Sequence, residues 1–220
     1  MTYRHKSAFS TFNMGTYNFK TKYEKSIERR KKDIAIIAKA FNVPEDMVMS
    51  TNEGWDKKGI DYVVLLRDGR SAYIDVKYRE KGVSKFWNHT YKCKDGRTIK
   101  QPELTLEILS NVERNTPGWT LDMNKFTDFV LFVFDESDCE NAYIFKFLEL
   151  RDVLIQYMRE WEREFRIGES YTPFCSEHPE RGGYHTQSMF VPICTVLKAL
   201  KSDGILHSGI NHIIAGGSKL

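Results

Sequence analysis

The chain has 220 residues, of which 41% are hydrophobic and 29% charged, and its formal net charge is +3. This length fits one domain, 1–220, with a core of its own, and so weak a positive charge does not by itself indicate a nucleic-acid-binding protein. The four cysteines form no Cys-x-x-Cys pair and no apolar stretch is long enough for a membrane span, so we expect reduced thiols and a cytoplasmic location.

The chain is predicted to begin with a polar arm and one long helix. Residues 1–16 are rich in Ser, Thr, Asn and Tyr and show no hydrophobic period. Apolar residues then recur every three or four positions over 18–41, which predicts a helix that ends at Asn42-Val43-Pro44. Glu24 and Glu28 lie beside its apolar stripe, where each can either reach an adjoining site or pair with a basic residue one turn away.

A β-hairpin is predicted over residues 60–78. Two runs rich in Val, Ile, Leu and Tyr, 60–66 and 72–78, flank the turn sequence Arg67-Asp68-Gly69-Arg70. A short strand or turn at 47–50 and a polar loop containing Trp55 precede it. Trp55 can stack on a base or sugar, although burial is the commoner fate of tryptophan.

The length of the turn decides which side chains of the hairpin share a face. A two-residue turn would pair Asp61 with Val76. A three-residue turn, with Gly69 in the left-handed conformation, instead pairs Asp61 with Asp75. We favour the three-residue turn.

In that register, Asp61, Asp75 and Lys77 lie together on one face of the sheet, because Asp75 and Lys77 are two residues apart on one strand. Two neighbouring carboxylates in a half-buried sheet are costly unless a cation or a strong hydrogen-bond network holds them. The hairpin therefore predicts a cation-dependent site.

A second, basic hairpin is predicted within 79–101. Basic residues alternate there with aromatic ones, and Lys94-Asp95-Gly96 supplies a turn. Because basic groups neutralise phosphates and aromatic rings stack on bases, this segment is either a nucleic-acid clamp or a solvated hairpin whose rings pack on the domain. The clamp residues would be Lys85, Trp87, His89, Lys92 and Arg97.

The remaining elements complete a mixed α/β (α+β) pattern. Strands are predicted at 103–110, 126–134, 141–147 and 188–191, helices at 149–165 and 192–200, a loop at 168–183, and a loosely held tail at 202–220. If the 103–110 strand pairs beside the strand of Asp75, Glu107 could face the site as a further ligand or supporting acceptor. Otherwise it is a solvent-facing glutamate.

The arrangement of Asp61, Asp75 and Lys77 resembles the PD-(D/E)XK nuclease superfamily, whose fold is that of many restriction endonucleases. The motif is an Asp at the start of one strand and Asp or Glu, any residue, then Lys on the next. Ile60 replaces its leading Pro, as is common in the superfamily. The resemblance spans residues 19–134. The segments 107–111, 117–119 and 127–134 are also similar to phage and prophage nuclease-like proteins.

The resemblance implies a restriction endonuclease-like core, a central mixed β-sheet flanked by helices, and Mg²⁺-dependent cleavage of DNA, endonuclease rather than exonuclease, in a phage-encoded or bacterial protein. Asp61, Asp75, the Val76 carbonyl and Glu28, which many relatives supply from the first helix, would hold Mg²⁺, and Mn²⁺ should substitute. Lys77 would act beside the attacking water. Many members of the superfamily act as dimers, so the resemblance also allows a homodimer. The alternative is a catalytically silent fold that binds or inhibits in phage–host conflict.

Overall fold

The computed structural model describes residues 19–56, 58–79, 89–92, 98–135, 140–172 and 183–202. The predicted arm at 1–16 and the tail beyond residue 202 lie outside these residues. No helix in the described part of the chain combines the length and the hydropathy that a membrane span requires.

Most of the predicted helices and strands are confirmed. The helices are α1 (Phe19–Phe41), the short α2 (Glu53–Asp56), α3 (Phe147–Glu164) and α4 (Ile193–Ser202), with a 3₁₀ turn at Glu45–Met47. The strands are β1 (Val48–Ser50), β2 (Tyr62–Leu65), β3 (Ser71–Arg79), β4 (His89–Lys92), β5 (Thr98–Gln101), β6 (Glu103–Asn111), β7 (Thr116–Pro117), β8 (Phe129–Asp135), β9 (Glu140–Lys146), β10 (Ile167–Thr172) and β11 (Tyr184–Pro192).

Five strands form a central mixed sheet in the order β1-β2-β3-β8-β9. Strands β1, β2 and β3 are antiparallel neighbours, β3 and β8 are parallel, and β8 and β9 are antiparallel. Helices pack on both faces of this sheet, in agreement with the predicted mixed α/β (α+β) class.

One face of this sheet packs on α1. Ile36, Ile37 and Ala40 of the helix are buried against alternate residues of the strands, including Val64 and Ile74. Because strand side chains alternate between faces, the residues between these core positions point to the other side of the sheet.

The opposite face is covered only in part. Over β8 and β9 it is buried beneath α3, α4 and a second sheet, in a core that contains Phe132, Phe145 and Trp161. Over β1 and β2 it is open, since Met49 is 52% exposed and Leu65 is 38% exposed. We call this the open face.

The second sheet decides one open alternative and corrects one prediction. Its order is β10-β11-β6-β7, so β6 does not pair beside β3. The predicted loop at 168–183 begins as strand β10, because Ile167–Thr172 pairs with β11 although its own sequence is polar and carries no clear alternation. Pairing with β11, the next strand along the chain, outweighed the weak local signal.

Candidate functional site: a carboxylate–lysine cluster on the central sheet

The register of the β2–β3 hairpin is the one that the three-residue turn predicts. Tyr62 pairs with Ile74 and Leu65 with Ser71, and the N–H of Leu66 donates to the carbonyl of Arg70 at 2.8 Å. Gly69 has φ of 83°, a conformation that favours glycine. Asp61 and Asp75 are therefore brought to the same end of the hairpin.

The position of Asp61 is fixed by the loop that precedes it. The N–H of Thr51 donates to the carbonyl of Asp61 at 2.9 Å, and its hydroxyl donates to the carbonyls of Ile60 and Asp61. The Thr127 hydroxyl holds the carbonyl of Gly59. Together these bonds tie the loop to β1 and to the residues that lead into β8.

Just before β2 begins, the side chain of Asp61 bonds to the β3 backbone, where a backbone carbonyl would normally accept the hydrogen bond. Its Oδ2 accepts a hydrogen bond from the N–H of Val76 at 2.6 Å, while its own N–H donates to the carbonyl of Ile74 at 2.8 Å. The N–H and C=O of one strand residue point toward the same edge, so the Val76 carbonyl lies on the edge where Asp61 sits.

Asp75 and Lys77 form a close ion pair beside Asp61. The Lys77 Nζ lies 2.8 Å from Oδ1 and 2.7 Å from Oδ2 of Asp75. Asp75 is only 3% exposed. Within the described part of the chain, its buried Oδ2 has no donor in normal hydrogen-bond geometry, and the Lys77 ammonium at 2.7 Å is its counter-charge.

The electrostatics show that the two carboxylates share one environment. The pKa of Asp61 is raised from its ordinary value of 3.8 to about 7, chiefly because burial disfavours its charge. The Val76 N–H opposes this rise in pKa, the charge of Asp75 and a hydrogen bond with that carboxylate add to it, and the ammonium of Lys77 lowers the pKa. We call Asp61, Asp75 and Lys77 the carboxylate–lysine cluster.

Trp119 supports the cluster, a role that sequence reasoning missed. Its ring centroid lies 4.9 Å from the Lys77 Nζ, within reach of a cation–π contact. The ring also stacks on Phe147 at 6.4 Å. The available signal was the Pro117-Gly118-Trp119 sequence, which the resemblance singled out without a structural role.

Glu107 acts through Trp119. Its Oε1 accepts a hydrogen bond from the backbone N–H of Trp119 at 3.2 Å. Gly118 permits this close approach, because a Cβ there would lie 2.2 Å from the carbonyl oxygen of Glu107. The premise for Glu107 as a ligand, a strand paired beside β3, is wrong, and the structure instead makes it an acceptor that positions Trp119.

The structure does not bring Glu28 to the cluster. Glu28 is exposed on α1, and α1 covers the face of the sheet opposite to Asp75. The side chain of Glu24 lies outside the described residues. A buried acid of α1 is Asp33, which is 3% exposed. It accepts a hydrogen bond from the Tyr62 hydroxyl at 3.0 Å, on the face of the sheet that α1 covers and not at the cluster.

Part of the predicted basic hairpin can be described. Strands β4 and β5 pair antiparallel, with His89 opposite Gln101 and Lys92 opposite Thr98, so a hairpin forms there. Lys85, Trp87 and Arg97 lie outside the described residues, and the side chains of His89 and Lys92 are likewise not described. The clamp stays a prediction.

The donor set fits a hard divalent cation in part. Asp61 and Asp75 supply carboxylate oxygens and Val76 a carbonyl at the same edge, which are the ligand types that Mg²⁺ prefers. The residues that the structure describes contain no group of three or more His, Cys, Asp and Glu side chains that could hold a metal. The cluster is thus a half-shell, whose remaining positions would be filled by water and a ligand.

Comparison with known proteins identifies no relative: no family model, no curated protein and no solved structure matches this chain.

Proposed function

We propose that the protein is a Mg²⁺-dependent phosphodiesterase of the PD-(D/E)XK type that cleaves DNA, as an endonuclease, in the bacterial cytoplasm. The observation that carries the proposal is the carboxylate–lysine cluster, in which two carboxylates meet and the pKa of Asp61 rises to about 7. A sheet that needed only stability would gain nothing from placing a second acid beside a buried one.

The surrounding fold supports the proposal. A helix precedes an antiparallel β1-β2-β3 unit, Asp61 directly precedes the second strand, and Asp75 and Lys77 lie on the third. The next strand of the sheet, β8, runs parallel to β3. This is a central mixed sheet flanked by helices, with the motif on adjacent strands of one hairpin.

Asp61, Asp75 and the Val76 carbonyl would hold the metal ion. Bound there, Mg²⁺ would supply Lewis-acid stabilisation of the phosphate and of the leaving oxygen. The 2.6 Å hydrogen bond from the Val76 N–H orients the Asp61 carboxylate, so that its other oxygen can face the metal and substrate.

Lys77 would provide the second part of the chemistry. Its Nζ is held between Asp75 and the ring of Trp119, and this would place a positive charge beside the scissile phosphate. From that position the ammonium can orient the attacking water and stabilise the negative charge that develops on the phosphate oxygens.

One observation favours a second candidate, a catalytically silent fold that binds nucleic acid or inhibits a partner. Lys77 lies within 2.8 Å of both oxygens of Asp75, so the pair already neutralises itself without a metal. If the ion pair between Lys77 and Asp75 stays intact when a nucleic acid or partner binds, the protein would bind that ligand without cleaving it.

The test is cleavage by the purified chain. Linear, circular, single-stranded and branched DNA, and RNA, are incubated with Mg²⁺, Mn²⁺ or EDTA, beside Asp75→Ala. We expect cleavage in Mg²⁺ and Mn²⁺, none in EDTA, and none by the variant, with circular DNA separating endonuclease from exonuclease activity. An active Asp75→Ala protein would refute the site. Binding without cleavage by a folded wild-type protein would favour the silent fold.

A further inference from the structure

A groove of about 390 Å³ opens on the open face of the sheet, next to the carboxylate–lysine cluster. It is lined by Met49, Ser50, Thr51, Asn52, Trp55 and Val63. The groove is lined both by apolar side chains and by polar side chains that can form hydrogen bonds. We call it the Trp55 groove.

The Trp55 groove and the cluster share one face of one hairpin. Val63 follows Asp61 by two residues, and Tyr73 precedes Asp75 by two, so each pair points to the same side of the sheet, about 7 Å apart along the strand. Trp55 stacks on Tyr73, with ring centroids 6.1 Å apart and planes at 28°. Thr51 joins the groove directly to the backbone of Asp61.

Trp55 is held in place and yet remains accessible. Its ring rests on Tyr73 and its backbone N–H donates to the side-chain oxygen of Asn52, but the residue is 44% exposed. A large aromatic residue that is stacked on one neighbouring ring and still partly exposed can serve as a platform for stacking. Trp55 is therefore not buried, although most tryptophans in proteins are.

The charge beside the groove complements a polyanion. The Lys58 Nζ lies 5.6 Å from the Trp55 ring and 5.7 Å from the ring of Phe126, which is 62% exposed. An exposed lysine–aromatic contact is weaker than the stacking of a base on an aromatic ring. A base can therefore replace the ammonium on the ring and leave Lys58 to pair with a neighbouring phosphate.

We propose that the Trp55 groove binds one unpaired nucleotide of the DNA strand, stacked on Trp55, next to the phosphodiester at the cluster. This inference rests on the proposed function, and it makes the substrate single-stranded DNA or a duplex with an unpaired end or branch. A base inside a duplex cannot use the groove, because its neighbours already cover both of its faces.

The test is binding in EDTA, where no cleavage is expected. Wild type, Trp55→Ala and Trp55→Phe are titrated with a labelled single-stranded oligonucleotide and with the blunt duplex of the same sequence. We expect Trp55→Ala to weaken single-strand binding about 5- to 100-fold and duplex binding less than twofold, with Trp55→Phe intermediate. Tyr171→Ala is the matched control, since Tyr171 is 59% exposed on β10 of the other sheet.

Two results would overturn the inference: unchanged single-strand binding by Trp55→Ala, or an equal loss for both DNA forms. Circular dichroism of the variant checks its fold. If single-strand binding depends on Trp55 but wild type cleaves nothing in Mg²⁺, the groove stands and the proposed catalysis fails. If wild type cleaves DNA but Trp55→Ala binds and cleaves normally, the catalysis stands and the groove is refuted.

Discussion

The two faces of the β2–β3 hairpin each bury an aspartate, and they do so differently. Asp33 and Asp75 are both 3% exposed. On the α1 face, Asp33 accepts a hydrogen bond from a neutral phenol, Tyr62. On the opposite face, Asp75 meets a second carboxylate and an ammonium. A buried acid alone therefore does not mark a functional site, whereas a second acid placed beside it does, because like charges must be held together.

The pKa values follow the same division. On the α1 face the pKa of the Tyr62 hydroxyl is raised, by burial first and then by the charge of Asp33, so the phenol stays a neutral donor. On the opposite face the pKa of Asp61 rises toward neutrality. The Tyr62 phenol therefore keeps its proton over the physiological pH range, whereas Asp61 can exchange a proton for a cation.

The largest effect should separate these two aspartates. Asp75→Asn keeps the shape of the side chain but removes its charge, so we expect the cleavage rate to fall about 10³-fold or more. Asp33→Asn is the matched control on the other face and should change the rate per folded molecule by less than about threefold. Rates are measured on circular DNA in Mg²⁺, with the folded fraction checked by circular dichroism. Comparable losses in both variants would contradict the division between the faces.

Lys77 should matter for hydrolysis more than for metal binding. Lys77→Met keeps an unbranched side chain against Trp119 but removes the ammonium, and we expect the cleavage rate to fall about 10²-fold. Removing that charge also releases Asp75 from its ion pair, so the affinity for Mg²⁺ should not weaken. Single-turnover rates and Mg²⁺ titrations of the same variant check this. A parallel loss of both would show that Lys77 only organises the metal ligands.

Stability of the metal-free protein should fall as the pH rises. The folded pKa of Asp61, about 7, lies above its ordinary value of 3.8, so this group favours the folded state fully below about pH 4, and the benefit is lost as the pH rises through 7. In EDTA, wild type should lose about 2 kcal/mol more than Asp61→Asn in free energy of unfolding between pH 5 and pH 8. Urea titrations at the two pH values measure the difference, and parallel pH dependence of the two proteins would exclude a raised pKa for Asp61.

The smallest effect should come from Trp119. Trp119→Leu removes the ring beside the Lys77 ammonium, a contact worth about 0.5–1 kcal/mol, so kcat should fall about two- to fivefold with KM unchanged. Trp119→Phe, which retains an aromatic face, should lose less. Steady-state kinetics on both variants provide the test. A loss in KM alone would mean that Trp119 contacts DNA rather than the lysine.

Local signals in the sequence predicted the hairpin and its register. The turn sequence containing Gly69 allowed two registers, and the favoured three-residue turn is the one that forms and brings Asp61 to Asp75. The long helix and the buried strand β8 were also predictable, because each carries a strong hydrophobic pattern over many residues.

Contacts between distant segments were not predictable in the same way. Strand β6 pairs with β11, some 80 residues later, and not with β3, and Glu107 on β6 accepts a hydrogen bond from the backbone N–H of Trp119. Polar β10 owes its conformation to β11. Trp55 stacks on Tyr73, which is 18 residues later. The local sequence around Trp55 does not predict this contact.

A titration with Mn²⁺, followed by electron paramagnetic resonance of the free ion, tests the central claim most directly, because it requires no knowledge of the substrate. Wild type, Asp75→Asn and Asp33→Asn are compared at pH 7.5. The carboxylate–lysine cluster predicts one Mn²⁺ bound by wild type and by Asp33→Asn, with affinity at least tenfold weaker in Asp75→Asn. Equal binding by Asp75→Asn and wild type would contradict the assignment of the metal to this face of the sheet.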